Sequence, residues 1–192
     1  MLISTKMAKK TKKDLTAEIE IPAGIEATLE GRVITMKKDS NEIKRAVLGD
    51  VKVSKEGNKI ILSVKKAKKD EKRAFGTIKS HVKNMIEGLT TGFEYELEIC
   101  NVHFPMTVAF DKTKSEFIIK NLLGEKSPRI LKTAGKIEVE IKAPKIKIKS
   151  HNLEYAGQVA ANLEKVSRIR YRDRNKFQDG IFITKKPGVE YI

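Results

Sequence analysis

With 192 residues, 40% of them apolar and 34% charged, the chain can fold as one large or two small cored domains, and it is too regularly patterned to be disordered throughout. Its single cysteine, Cys100, excludes an internal disulfide and any cysteine-based zinc cage. The net charge of +15 points to a polyanionic partner, while no apolar stretch reaches bilayer length, so the chain reads as a soluble, intracellular protein.

Residues 1–14, MLISTKMAKKTKKD, have no apolar period and are expected to form a mobile basic tail, with Met7 as an alternative start. Order is expected from AEIEIP, where Ile19 and Ile21 alternate with Glu18 and Glu20. IEATLEG and RVITMKK, around Gly31, read as a hairpin, and VKVSKEGNKIILSV as a second one turning at Glu56, Gly57 and Asn58. The period then lengthens to that of a helix. Ile78, Val82, Met85, Ile86 and Leu89 fall on one face, and Gly88 and Gly92 bracket its end.

The second half repeats this order. FEYELEIC, HFPMTVAF, SEFIIKN, GKIEVEIK and KIKIKS are strand candidates, followed by a helix in HNLEYAGQVAANLEKV with Val159, Leu163 and Val166 inward. Asn152 suits its N-cap and Glu154 its positive end. Laying Gly157 on Gly76 puts Val159 on Ile78, Leu163 on Val82 and Val166 on Met85, so the chain is expected to be a duplication of one α+β unit. The expected divisions are a tail over 1–14, a first domain over 15–91 and a second over 92–192. At Pro144 the alternation slips, which predicts a broken or bulged strand. Lys142, Lys145, Lys147 and Lys149 are then expected to form an exposed basic ridge close to the C-terminal segment.

That segment carries the sharpest chemical signal. RIRYRDRNKFQDGIF sets Arg168, Arg170, Arg172 and Arg174 at every second position, with Lys176 beyond them and Tyr171, Phe177 and Phe182 among them. In an extended chain alternate residues share a face, and guanidinium groups interleaved with rings suit phosphates and unpaired bases together. Residues 1–13, 65–73, 142–149 and 168–186 hold all of the excess positive charge, which makes it a set of local footprints on RNA. Catalysis finds little support: His81, His103 and His151 are far apart in sequence, and there is no phosphate loop, dinucleotide fingerprint or nucleophile elbow. A nuclease carboxylate pair, Asp173 and Asp179, is the weaker reading, because Asp173 lies between Arg172 and Arg174 and suits an ion pair that orders them. No catalytic residue, metal site or cofactor is expected.

Three segments carry a family resemblance: FGTIKSHVKNMIEGLTTGF from Phe75, GQVAANL from Gly157 and RDRNKFQDGIF from Arg172, with HFP at His103 in support. Together they resemble the family of large-ribosomal-subunit protein six, in its archaeal and eukaryotic form, over nearly everything from residue 15 onward. The resemblance implies two tandem similar α+β domains, each a small, mostly antiparallel sheet with one helix on a face, plus a basic C-terminal arm. It also implies a non-enzymatic protein bound to large-subunit ribosomal RNA near the sarcin-ricin loop, beside other ribosomal proteins and where translational GTPases dock. Carried over by position, RNA contact falls on Arg172, Asp173, Arg174, Asn175, Lys176, Phe177, Gln178, Asp179 and Gly180. Charge and proximity add Lys145, Lys147, Arg168 and Arg170. No membrane and no small-molecule substrate is implied, and an RNA-binding or RNA-chaperone protein outside the ribosome is the alternative. One stretch departs from the family: KKDSNEI, from Lys37, stands where a Gly-Pro-x-Gly turn is common.

Overall fold

A computed structural model describes residues 13–133 and 135–190, without the side chains of residues 13, 66 and 190. The expected N-terminal tail lies almost wholly outside these residues. The chain divides into two compact units, Met1–Leu89 and Thr90–Ile192. Every strand pairing among the described residues is antiparallel, which makes the architecture α+β with small sheets.

In the first unit β1 (Lys13–Glu20), β6 (Lys59–Ala67) and β5 (Lys52–Glu56) form one sheet, in the order β1-β6-β5. A second sheet holds β2 (Glu26–Glu30), β3 (Val33–Lys38) and β4 (Asn41–Ala46). β5 and β6 turn over Gly57 and Asn58, with Gly57 at φ +57, while Glu56 closes the ladder against Lys59. The unusual KKDSNEI stretch still makes a two-residue turn between β3 and β4, because Asp39 takes the left-handed conformation at φ +51. Helix α1 (Lys69–Thr90) buries Phe75, Ile78, Val82, Met85 and Leu89 in one cluster with Ile34, Met36, Ile60 and Leu62. Glu71 accepts a hydrogen bond from the Lys68 amide at its start.

The second unit repeats the same pairings. β7 (Phe93–Cys100) pairs β12 (Lys145–Ser150), which pairs β11 (Glu138–Lys142), as β1, β6 and β5 do. β8 (Thr107–Asp111), β9 (Glu116–Lys120) and β10 (Arg129–Lys132) repeat β2, β3 and β4. Helix α2 (Leu153–Ser167) buries Ala156, Val159, Ala160 and Leu163 against Leu97, Phe117, Ile119, Ile146 and Ile148. Its N-cap is as expected: the Asn152 side chain accepts from the Glu154 amide at 3.0 Å. Agreement of helix faces and strand order together supports duplication, since pairing topology is not shared by chance as easily as amphipathic period is.

Three features differ from the sequence expectation, and one meets it. Each unit holds two sheets where one was expected, because β4 and β10 complete a second, separate ladder. At Pro144 the strand breaks, as expected: Ala143 and Pro144 turn the chain through a hairpin, Lys142 paired with Lys145, and their peptide is cis. HFP belongs to the loop before β8, not to the strand. The last difference concerns the arm, which ends in β13 (Gly180–Lys186) on the far edge of β7, extended by β14 (Val189–Glu190). Ile181 is wholly buried there, so the C-terminal segment is partly core.

Candidate nucleic-acid interface

Between α2 and β13 the chain runs through residues 168–179 without regular structure, and local polar chemistry fixes its course. Tyr171 takes the left-handed conformation at φ +59. Asp173 then nucleates a turn: its Oδ1 accepts from the Asn175 amide at 3.0 Å, and its carbonyl accepts from the amides of Lys176 and Phe177 at 3.1 and 2.9 Å. The four arginines therefore do not form one face of a strand, because a bend and a turn interrupt the extended backbone that such a face needs. Asp173 orders the backbone of the turn, and no ion pair joins it to Arg172 or Arg174 among the described residues.

Both ends of this segment are anchored. Arg129 donates through Nη1 to the carbonyls of Val166 and Arg168, at 2.6 and 3.0 Å, and is itself held by the Glu125 carboxylate at 2.8 and 2.5 Å. That ion pair caps the last carbonyls of α2 and, through the Arg129 hydrogen bonds above all, holds Glu125 below the usual carboxylate range. Ser167, 1% exposed, accepts from the Ile181 amide at 2.9 Å and so ties the helix end to β13. At the other end Asp179, 4% exposed, turns inward. Its Oδ1 accepts from the amides of Val102 and His103 at 2.8 and 2.9 Å, and its Oδ2 meets His103 Nδ1 at 2.6 Å. Burial opposes its ionisation, but the His103 and Val102 donors outweigh that and hold the carboxyl below its ordinary value. An ionised carboxylate only accepts, so His103 Nδ1 carries the proton. The carboxylate fixes the β7–β8 loop and the end of the arm; it does not face solvent, and Gly180 beside it is buried too.

What remains outward is strongly basic and aromatic. Arg168, Arg170, Arg172, Arg174, Asn175, Lys176 and Gln178 are exposed, and no carboxylate pairs with any of the four arginines among the described residues. Arg172 lies 5.4 Å over the Phe177 ring, which stacks on His103 at 4.9 Å, and Arg174 lies 5.3 Å over the Phe182 ring. Tyr171 is fully exposed. The expected lysine ridge is different in kind. On the outer face of the five-stranded sheet Lys145, Lys147 and Lys149 stand opposite Glu98, Glu96 and Glu94. Lys147 meets Glu94 and Glu96, each at 3.1 Å, and Lys149 meets Glu94 at 3.0 Å. The Glu96 bond, then that of Glu94, raises the Lys147 pKa, and Lys149 foremost lowers that of Glu94. The ridge is thus a charge-alternating ladder in which Lys145 alone of these three lacks an acidic partner among the described residues. Lys145, Glu98 and Phe182 share one cross-strand row, which brings Lys145 to within about 10 Å of the arm's aromatic end.

Other chemistry is not assembled. No three His, Cys, Asp or Glu side chains group as metal ligands among the described residues. Burial, then Glu98 and Asp179, pushes the Cys100 thiol up, away from the reactive thiolate. No helix among the described residues is long and apolar enough to cross a membrane. Sequence reasoning missed Arg129, Ser167 and β13. For β13 a signal was present, since Ile181 and Ile183 alternate with Phe182 and Thr184; for the capping role of Arg129 there was none, because the carbonyls it bonds lie 37 and 39 residues away.

Comparison with known proteins bears directly on this arrangement. The family profile of ribosomal protein L6 matches residues 21–92, from just after β1 to the glycine beyond α1. The chain is 39% identical over 170 residues to the large ribosomal subunit protein uL6 of Methanobrevibacter smithii, covering 88% of this chain and 94% of that one. It is 39% identical over 178 residues to uL6 of Saccharolobus solfataricus, at 92% and 97% coverage. For uL6 of Haloarcula marismortui the figures are 35% over 172 residues, 89% and 96%. Similarity at this level along both repeats and the arm shows that the chain belongs to the ribosomal protein L6 family.

Proposed function

We propose that this chain is a structural, non-enzymatic constituent of the large ribosomal subunit that binds ribosomal RNA through its C-terminal arm, in the cytoplasm. The observation that carries the RNA contact is a run of four exposed arginines without acidic partners among the described residues, on a segment whose own aspartates are spent on backbone groups and His103. Arginine forks of this kind match phosphate oxygens, and the adjoining rings match unpaired bases. The contact set is Arg168, Arg170, Arg172, Arg174, Asn175, Lys176, Phe177 and Gln178, with Lys145 at the edge. Lys147 is a weaker member, since a phosphate there competes with Glu94 and Glu96. Asp173, Asp179 and Gly180 shape the arm. The family resemblance supports placement near the sarcin-ricin loop, beside the docking site of translational GTPases and among neighbouring ribosomal proteins.

Neutralising roughly six to eight phosphates makes log affinity fall with log salt at a slope of about −5 to −7. A titration on large-subunit ribosomal RNA fragments tests this, and a slope near zero overturns it. Sedimentation tests the assembly: the protein should remain with large subunits through a high-salt wash, whereas recovery in the free fraction favours an RNA-binding role outside the ribosome.

A further inference from the structure

The last turns of α2, the arm and the start of β13 enclose a cleft of about 310 Å³. Its lining brings together Arg168, Arg172 and Arg174 with the rings of Phe177 and Phe182. Glu164 of α2 also lines it. This volume is at the small end for ligand sites, which run to about 1,000 Å³. It admits one nucleotide and excludes a duplex.

The chemistry of the lining is as selective as its size. Arg174 lies over the Phe182 ring at 5.3 Å, while Phe177 is already held between its contacts with Arg172 at 5.4 Å and His103 at 4.9 Å. A base entering such a site finds planar groups to stack on, and its phosphate finds forked donors with no internal carboxylate to displace. Lysine ammonium groups on an open face give attraction without this planarity. Asp179 also lines the cleft, and its carboxylate oxygens are occupied by donors from His103 and two amides, which compensate its charge. Glu164 supplies an acceptor for an exocyclic amino group.

We propose that this cleft is a binding site for a single unstacked nucleotide of the RNA, its base against Phe182 and its phosphate on the arginines. The proposal rests on the RNA-binding reading above and adds the feature that the arm takes: a splayed-out nucleotide and not only a duplex backbone.

The test uses the full chain with three probes: AMP, inorganic phosphate and a blunt RNA duplex, followed by amide shifts in NMR spectra. AMP at millimolar concentration should move Ile169, Phe177 and Phe182 saturably, with much smaller movement for phosphate or duplex. Equal movement by phosphate means a plain anion site and overturns the proposal, as does movement by the duplex alone. Phe182→Leu should weaken binding of single-stranded oligoadenylate about tenfold, in the range for loss of one base stack, without altering the salt slope. Arg174→Lys keeps the charge, lies outside the core and should also weaken the single strand several-fold while sparing the duplex, so the test does not depend on Phe182→Leu folding. If neither variant changes single-strand affinity while replacing the four arginines by serine abolishes binding to ribosomal RNA, the cleft is refuted and the RNA-binding reading stands. If the serine replacements also have no effect, both fall.

Discussion

Asp179 and His103 stand 76 residues apart, and the short bond between them decides what the arm can do. A buried carboxylate with two backbone donors and an imidazole is worth far more to the fold than to a ligand. Asp179→Ala strands the Val102 and His103 amides in a half-buried site, where each unpaired group costs about 1–2 kcal/mol, so a loss of about 2–4 kcal/mol is expected in urea denaturation. Because the folded carboxyl is held below its ordinary value, its contribution is complete above the unfolded value of about 3.9 and is lost as pH falls below that through the folded value. Wild-type stability should therefore drop more steeply below about pH 4 than that of Asp179→Asn, in paired acid titrations of unfolding. The sequence showed the DGI motif but not its direction. Position in a motif marks a residue as required, and only a contact across 76 residues shows that it is required inside.

The two helices make a natural experiment in duplication. Their aligned glycines, Gly76 and Gly157, have opposite surroundings: a Cβ on Gly76 meets nothing within 4 Å, whereas one on Gly157 would lie 2.9 Å from Tyr95 Oη and 3.4 Å from its ring carbon. Glycine in a helix interior costs about 0.5–1 kcal/mol relative to alanine. Gly76→Ala should accordingly stabilise the first unit by about that amount, and Gly157→Ala should destabilise the second by about 1–3 kcal/mol through overpacking. Tyr95→Phe removes the hydroxyl and should recover part of the second loss, a coupling that thermal melts of the double variant would show. Helix faces were legible because a period near 3.6 survives duplication with different side chains. Strands were legible where they alternate strictly, as in FEYELEIC, whose buried and half-buried residues follow one another along all of β7. β10 was not, since Ile130 is 53% exposed and breaks the apolar signal, and the pairing of β1 with β6 joins residues too distant for any local pattern to show.

At the scale of the whole chain, charge has to be separated from scaffold before its role can be measured. Removing residues 168–192 would also remove β13, with Ile181 fully buried in the second core and Thr184 bonded to the Glu96 carbonyl at 3.2 Å, so lost RNA binding after such a deletion would report unfolding. Replacing Arg168, Arg170, Arg172 and Arg174 by serine leaves β13, the Asp179 bonds and the Ser167 tie in place, since none of these uses a guanidinium of the arm. Each phosphate contact contributes about 0.7–0.9 to the salt slope, so losing four should flatten it by about 3. Lys147→Ser makes the control: its ammonium is already shared between Glu94 and Glu96, and Glu94 keeps Lys149 as a partner when it is removed, so the slope should change by less than about 1. Filter binding across a salt series, with melting curves confirming that both variants fold, distinguishes the cases. An unchanged slope in the four-serine variant would move the footprint off the arm, and a Lys147→Ser effect as large as the four-serine one would place it on the sheet face whose lysines pair with glutamates.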